Sequence, residues 1–171
     1  SDQLLPIGTQ GEICARGYQA MLGYFDQPEA TAETIDPDGW LHTGDLGTMD
    51  ERGYVRVTGR LKDMIIRGGE NIYPREIEDL LFSHPGVAEA AVLGIPDEVW
   101  GEQVAAVLRP ADVAAPPAAA ELHAYCRAQL APHKAPTCWY LVDAFPLTAS
   151  GKIQKHVLRD RAAAGELTAM E

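Results

Sequence analysis

The feature that most restricts the fold is a change of pattern at GRLKD, residues 59–63. Ahead of it lie short strand and turn signals with one short helix. After it, apolar strand runs alternate with amphipathic helices. Such a change of period divides the 171 residues into two units, because one continuous layer would keep one rhythm. The division predicted is a β-rich segment over residues 1–61, made of strands and a hairpin, and an α+β unit over residues 62–171. The second is expected to be a small domain with a short sheet and packed helices.

Within the first segment, GEICARG reads as a strand with no helix or cap signal ahead of it, so the chain is expected to be a piece cut from a larger protein. PEATAETI, residues 28–35, places proline at a first helical position, and PDGW at 37–40 is a turn. LGTMD and YVRVTG flank Glu51-Arg52-Gly53 as a hairpin. In the second segment MIIRGGENI turns at Gly68 and Gly69. PREIEDLLF starts at Pro74, carries Ile77, Leu80 and Leu81 on one face, and stops at His84-Pro85-Gly86. VAEAAVLGI and QVAAVLRP are strands separated by PDEVWGE, and ADVAAPPAAA is a loop. The helix AELHAYCRAQL turns Leu122, Tyr125, Cys126 and Leu130 to one side, and TCWYLV is a strand. No internal repeat interrupts this order.

The last helix is read from QKHVLRDRAAA, with Thr148 or Ser150 as its cap, which places Lys152 in or near the first turn. The helix macrodipole disfavours a cation there by roughly 0.3–1 kcal/mol, so an anion is expected nearby. The tail AAAGELTAME has no packing pattern and is expected to fray.

Charge excludes some partners. A formal net charge of −11 does not suit a general nucleic-acid or anionic-membrane surface, so any phosphate site must be local. Cys14, Cys126 and Cys138 lie far apart, with no zinc-type spacing, and imply neither a metal nor a disulfide framework. They read as buried thiols of a reducing compartment, and the chain as cytoplasmic. No apolar run approaches the ~18 residues that span a bilayer.

HTGDL (42–46) and GRLKD flank the predicted hairpin, which brings Asp45 and Arg60 together. A carboxylate can accept both hydroxyls of a ribose diol while an arginine fork donates beside it, and the same pair also serves as a structural ion bridge. RGGEN alone is a turn whose glycines permit positive φ or close backbone approach. ASGK is not the end of a P-loop, since Pro146 stands where glycine is required and Ile153 where serine or threonine is. Taken singly, Lys152 reads as a solvated lysine, and so do Lys155, His156, Arg159 and Arg161 on their helix. Trp100 reads as a loop or core anchor. No Ser-His-Asp order or paired-carboxylate spacing stands out.

Taken in order, GEICARG, GYFDQPEAT, DGWLHTGDLG, GYVRVTGRLKDMIIRGGENIYPREIE, WGEQVAAV and PLTASGKIQK resemble the adenylate-forming ligases. That family includes acyl-CoA synthetases, 4-coumarate-CoA ligase, luciferases and the adenylation domains of peptide synthetases. The resemblance implies that a carboxylic acid and Mg-ATP give an acyl-adenylate and pyrophosphate, after which the thiol of coenzyme A attacks. It also implies that Asp45 and Arg60 meet the ribose and that Lys152 enters the active site for adenylation. There a positioned cation offsets the repulsion between carboxylate and α-phosphate.

The resemblance further makes Lys62 a hinge about which the small domain swings between half-reactions. After the swing, Gly68 and Gly69 line the pantetheine channel with Trp100 beside it. The family's phosphate loop, adenine pocket and acyl pocket have no counterpart here, so ATP and Mg2+ are expected to be held mainly by an upstream domain. The segment alone is expected to be inactive. GGENIYPREIE favours a carboxylate-CoA ligase. Peptide-synthetase adenylation, luciferase-like oxygenation and a noncatalytic interaction module with an acidic docking surface are the alternatives.

Overall fold

Residues 3–170 are described in a computed structural model, in which the chain falls into two units, Ser1–Lys62 and Asp63–Glu171. The first unit is a three-stranded antiparallel sheet in the order β1 (Gly11–Ala15), β2 (Leu41–Met49) and β3 (Val55–Arg60), with helix α1 (Pro28–Thr34) between β1 and β2 in sequence. Pro28 opens α1, where its missing N–H costs no helical bond. The hairpin between β2 and β3 closes on Asp50, whose carboxylate accepts the backbone N–H groups of Arg52 and Tyr54, with Gly53 at φ 82°. An aspartate-led turn with a left-handed glycine sets the register that places Asp45 opposite Arg60.

The second unit is a six-stranded mixed sheet. It contains β4 (Ile65–Arg67), β5 (Glu70–Ile72), β6 (Val87–Asp97), β7 (Gly101–Pro110), β8 (Cys138–Leu141) and β9 (Thr168–Ala169). Strand β7 is central: β6 pairs along its length antiparallel and β8 runs parallel to it. A parallel neighbour needs a crossover, which helix α3 (Ala119–Arg127) supplies. Alternation along β7 explains its near-continuous apolar run. Val104, Ala106 and Leu108 join one core with Ile77 and Leu81 of helix α2 (Pro74–Phe82) and Leu122 and Cys126 of α3. Ala105 and Val107 join the other with Phe145 and with Leu158 of helix α4 (Lys155–Ala163). A strand covered on both faces has no polar side to alternate with. The α+β architecture is as predicted, a short sheet with packed helices.

Three expectations are corrected. Helix α4 begins at Lys155 with Gln154 as its N-cap and no side-chain cap bond, so neither Thr148 nor Ser150 caps it and Lys152 lies outside its first turn. Residues 146–154 instead fold back on themselves, with a Leu147–Ile153 bridge and the Gln154 N–H donating to Pro146 O at 2.8 Å. Their backbone groups are taken by this hairpin and are not available to a helix. The tail does not fray through its whole length: β9 pairs antiparallel with β8, and Met170 N–H donates to Trp139 O at 2.9 Å. An edge position on a formed sheet supplies partners that no local pattern announces. Of the three cysteines, only Cys126 is fully buried; Cys14 and Cys138 are half-buried. Among the described residues no helix is long and apolar enough to cross a membrane.

Candidate functional site

In the first unit, the register of β2 against β3 makes Asp45 and Arg60 direct neighbours, and Arg60 Nε donates to Asp45 Oδ1 at 2.8 Å. Both side chains keep contact with solvent. The fork therefore engages one carboxylate oxygen and leaves Oδ2 outside that bond, in a position to accept a hydroxyl. The turn carrying Asp45 is held from within, since Thr43 Oγ1 donates to Ile13 O at 2.6 Å and accepts the Asp45 N–H at 3.1 Å. Lys62 is the last residue of this unit, in a short 3-10 turn over Leu61–Asp63.

In the second unit, Lys152 stands on the closed hairpin of residues 146–154. Thr148 N–H donates to Lys152 O at 2.8 Å, Lys152 N–H donates back to Thr148 Oγ1 at 3.0 Å, and Gly151 N–H closes the turn on Thr148 O at 2.9 Å. The backbone is fixed on both sides of the lysine. Its side chain is exposed, and among the described residues its ammonium has no ion pair or hydrogen bond. Neighbouring cations differ. Lys155 Nζ is 2.7 Å from Glu78 Oε1, and Arg159 Nε donates to Gly94 O at 3.1 Å, so both tie α4 down instead of forming a solvated face.

The glycine turn between β4 and β5 and the loop between β6 and β7 form one assembly. Gly68 N–H donates to Trp100 O at 2.8 Å, and the Arg67 guanidinium lies 5.1 Å from the Trp100 ring centroid. A β-carbon on Gly68 would stand 2.9 Å from Trp100 Cε3, so the space that this glycine leaves is filled by the indole. At Gly69, φ is +84° and nothing lies within 4 Å of the same position. Of the two, Gly69 offers open backbone. Asp97 anchors the loop: its carboxylate accepts the Trp100 and Val99 N–H groups at 2.8 and 3.0 Å and the Gln103 amide. These donors, the Trp100 N–H first, hold the Asp97 carboxyl below its ordinary range.

Elsewhere, ligand-type atoms of Glu12, Cys14 and His42 lie within 4.8 Å of one another, a grouping with no counterpart in sequence spacing. His42 Nδ1 donates to Glu12 Oε2 at 2.8 Å, and Gly44 N–H donates to Glu12 Oε1 at 3.0 Å. A hollow bordered by Asp143, Arg161, Glu166 and Thr168 contains none of the predicted site residues.

Residues 76–152 match the AMP-binding enzyme C-terminal domain. Over 156 residues the chain is 54% identical to the 3-[(3aS,4S,7aS)-7a-methyl-1,5-dioxo-octahydro-1H-inden-4-yl]propanoyl:CoA ligase of Rhodococcus jostii (strain RHA1), covering 90% of this chain and 30% of that protein. Its residues 76–152 carry the AMP-binding enzyme C-terminal domain, and its similarity to adenylate-forming ligases runs over nine-tenths of its length. A second relative, the mitochondrial medium-chain acyl-CoA ligase ACSF2 of Homo sapiens, is 46% identical over 158 residues, covering 92% of this chain and 26% of its own length. Among solved structures, ATP-bound MatB from Rhodopseudomonas palustris superposes with a TM-score of 0.88 at 41% identity, covering 95% of this chain and 32% of MatB. The chain thus spans under a third of the length of these adenylate-forming ligases.

Sequence reasoning missed Glu12, Thr43, Thr148 and Asp97 as site supports. Thr148 and Asp97 had a local signal, a hydroxyl or carboxylate a few residues ahead of the backbone it binds. Glu12 had none, because Gly44 lies 32 residues away.

Proposed function

We propose that the chain is the C-terminal part of an ATP-dependent carboxylate-CoA ligase, in which Asp45 and Arg60 hold the ribose of the nucleotide and Lys152 assists adenylation. The observation that carries this reading is Lys152 itself: an exposed lysine whose backbone is clamped on both sides and whose ammonium has no partner among the described residues. Lys155, three residues on, is instead paired with Glu78. Clamping at the backbone fixes where the amine can reach, and an unpaired amine has nothing to release before it meets an anion.

In the reaction so assigned, the carboxylate oxygen of the acid attacks the α-phosphorus of ATP and pyrophosphate leaves. Lys152 faces the charge that accumulates between the two anions. The carboxylate of Asp45 accepts the ribose hydroxyls, and Arg60 keeps that carboxylate aimed. The thiol of coenzyme A then attacks the acyl carbon and releases AMP. The open backbone at Gly69 and the Trp100 loop are assigned to the arm of that thiol, and Lys62 to the hinge between the two half-reactions. Mg2+ enters with ATP. Asp45, a single carboxylate already engaged by Arg60, does not fit as its holder, and the ion is assigned to the part of the ligase outside this chain. The three unbridged cysteines suit a reducing, cytoplasmic setting.

The test uses the complete ligase that carries this segment. Lys152→Ala is expected to slow pyrophosphate release by about 10²–10³-fold, the usual cost of one preorganised donor to a developing charge. Thioester formation from a presynthesised acyl-adenylate should be unaffected. Equal pyrophosphate release by the variant and the parent would remove Lys152 from the mechanism.

A further inference from the structure

We infer that Glu12 is a positioning residue for nucleotide binding, holding the bulged turn that presents Asp45. This rests on the ribose reading of Asp45 given above.

Strand β1 pairs with β2 at Glu12–Leu46 and Cys14–His42, so three residues of β1 face five of β2, His42 to Leu46. The surplus makes β2 bulge, and Asp45 sits on the bulge. Bulges re-aim side chains, but they also leave backbone groups without ladder partners. Gly44, at φ +71°, lies in the left-handed region inside it. A bulge left to itself is soft, whereas a carboxylate meant to accept two hydroxyls must be held within about 0.5 Å.

Side chains supply what the ladder does not. Thr43 serves Ile13 O and the Asp45 N–H, both from within or beside the turn. Glu12 acts from the neighbouring strand with both oxygens: Oε1 accepts the Gly44 N–H at 3.0 Å, and Oε2 accepts His42 Nδ1–H at 2.8 Å. His42 is braced in turn, with its Nε2 lying 3.7 Å from Asp36 Oδ2 and its Nδ1 lying 3.6 Å from Cys14 Sγ. Glu12 is 23% exposed, so its charge is partly desolvated and is offset by these two donors. One residue before Asp45 and three before it, the chain is thus tied to a single carboxylate. Asp45 is left to face Arg60 on the other side. The arrangement spends a charged side chain on a segment whose only assigned chemistry belongs to Asp45.

The experiment measures ATP affinity calorimetrically in the complete ligase, without the acid so that no turnover occurs, together with the KM for coenzyme A and urea unfolding. Glu12→Ala is expected to raise the ATP Kd about tenfold, the equivalent of one charge-assisted hydrogen bond. The KM for coenzyme A should not change. Glu12→Gln, whose amide oxygen still accepts the Gly44 N–H, should recover most of the affinity. In an Asp45→Ala background, Glu12→Ala should add nothing, because it acts only through Asp45. If Asp45→Ala weakens ATP binding and Glu12→Ala weakens it further by its full single-variant factor, the positioning role is overturned and the ribose reading stands. If Asp45→Ala leaves the ATP Kd unchanged, the ribose reading falls and this inference with it. Should the alanine variant fail to fold, Glu12→Asp, one methylene shorter and still charged, must show the same loss and the same non-additivity.

Discussion

Gly68 and Gly69 are adjacent and both left-handed, yet the structure gives them different reasons to be glycine. Alanine at Gly69, with φ +84° and open space around the new carbon, meets only backbone strain. That strain is roughly 1–2 kcal/mol for a residue with a β-carbon, less about 0.4–1 kcal/mol from the smaller unfolded-state entropy of alanine. Gly69→Ala should therefore cost about 1 kcal/mol. At Gly68, φ is +58° and the new carbon would lie 2.9 Å from Trp100 Cε3, closer than such atoms pack. Overpacking costs typically about 1–3 kcal/mol. The half-exposed indole can swing outward, breaking its stack on Arg67, which puts the extra cost near the lower end of that range.

Gly68→Ala should then be worse than Gly69→Ala by about 1 kcal/mol. The excess should vanish when Trp100→Ala is added, once the cost of Trp100→Ala alone is subtracted. Urea unfolding of the 171-residue chain, followed by circular dichroism and tryptophan emission, gives the three differences. Equal costs at the two glycines, or an excess that survives removal of the indole, would refute the assignment of Trp100 as the filler of the Gly68 space.

Two further outcomes follow from the second unit. Glu78 accepts both Lys155 Nζ and the Val92 N–H at a site where the two side chains are 17% and 19% exposed. Glu78→Ala should therefore cost about 3 kcal/mol, as for breaking one side of a buried pair. Lys155→Met added to it should recover part of the loss in the same unfolding experiment. Burial pushes the Cys126 thiol from its ordinary value of 9.0 up to about 11. The unfolded chain then loses this proton first as pH rises. Stability from this group is full below pH 9 and falls between about 9 and 11 by up to about 1.4 kcal/mol per pH unit. Cys126→Ala should flatten that part of the alkaline stability profile, and an unchanged slope would count against it.

Much of this was legible from residues alone, because the signals are local. Proline at the starts of α1 and α2, the Asp-to-Gly hairpin turn, the glycine pair after β4 and the apolar runs of β6 and β7 each fix backbone geometry within a few residues. The pairing of Asp45 with Arg60 was predictable for the same reason, since a short hairpin leaves few registers that bury Leu46.

Tertiary structure decided the rest. The helix-prone run QKHVLRDRAAA predicts a first turn at or near Lys152, but Pro146 and Leu147 compete for the backbone and side chain of Gln154, and the helix starts only at Lys155. The tail became a strand because β8 offered it an open edge. Glu12 reaches Gly44 because pairing of β1 with β2 brings residues 32 apart into contact. Propensity and spacing specify what a segment prefers. Which of two available partners a backbone group takes depends on what the rest of the chain has placed beside it, and that is a property of the packed sheet.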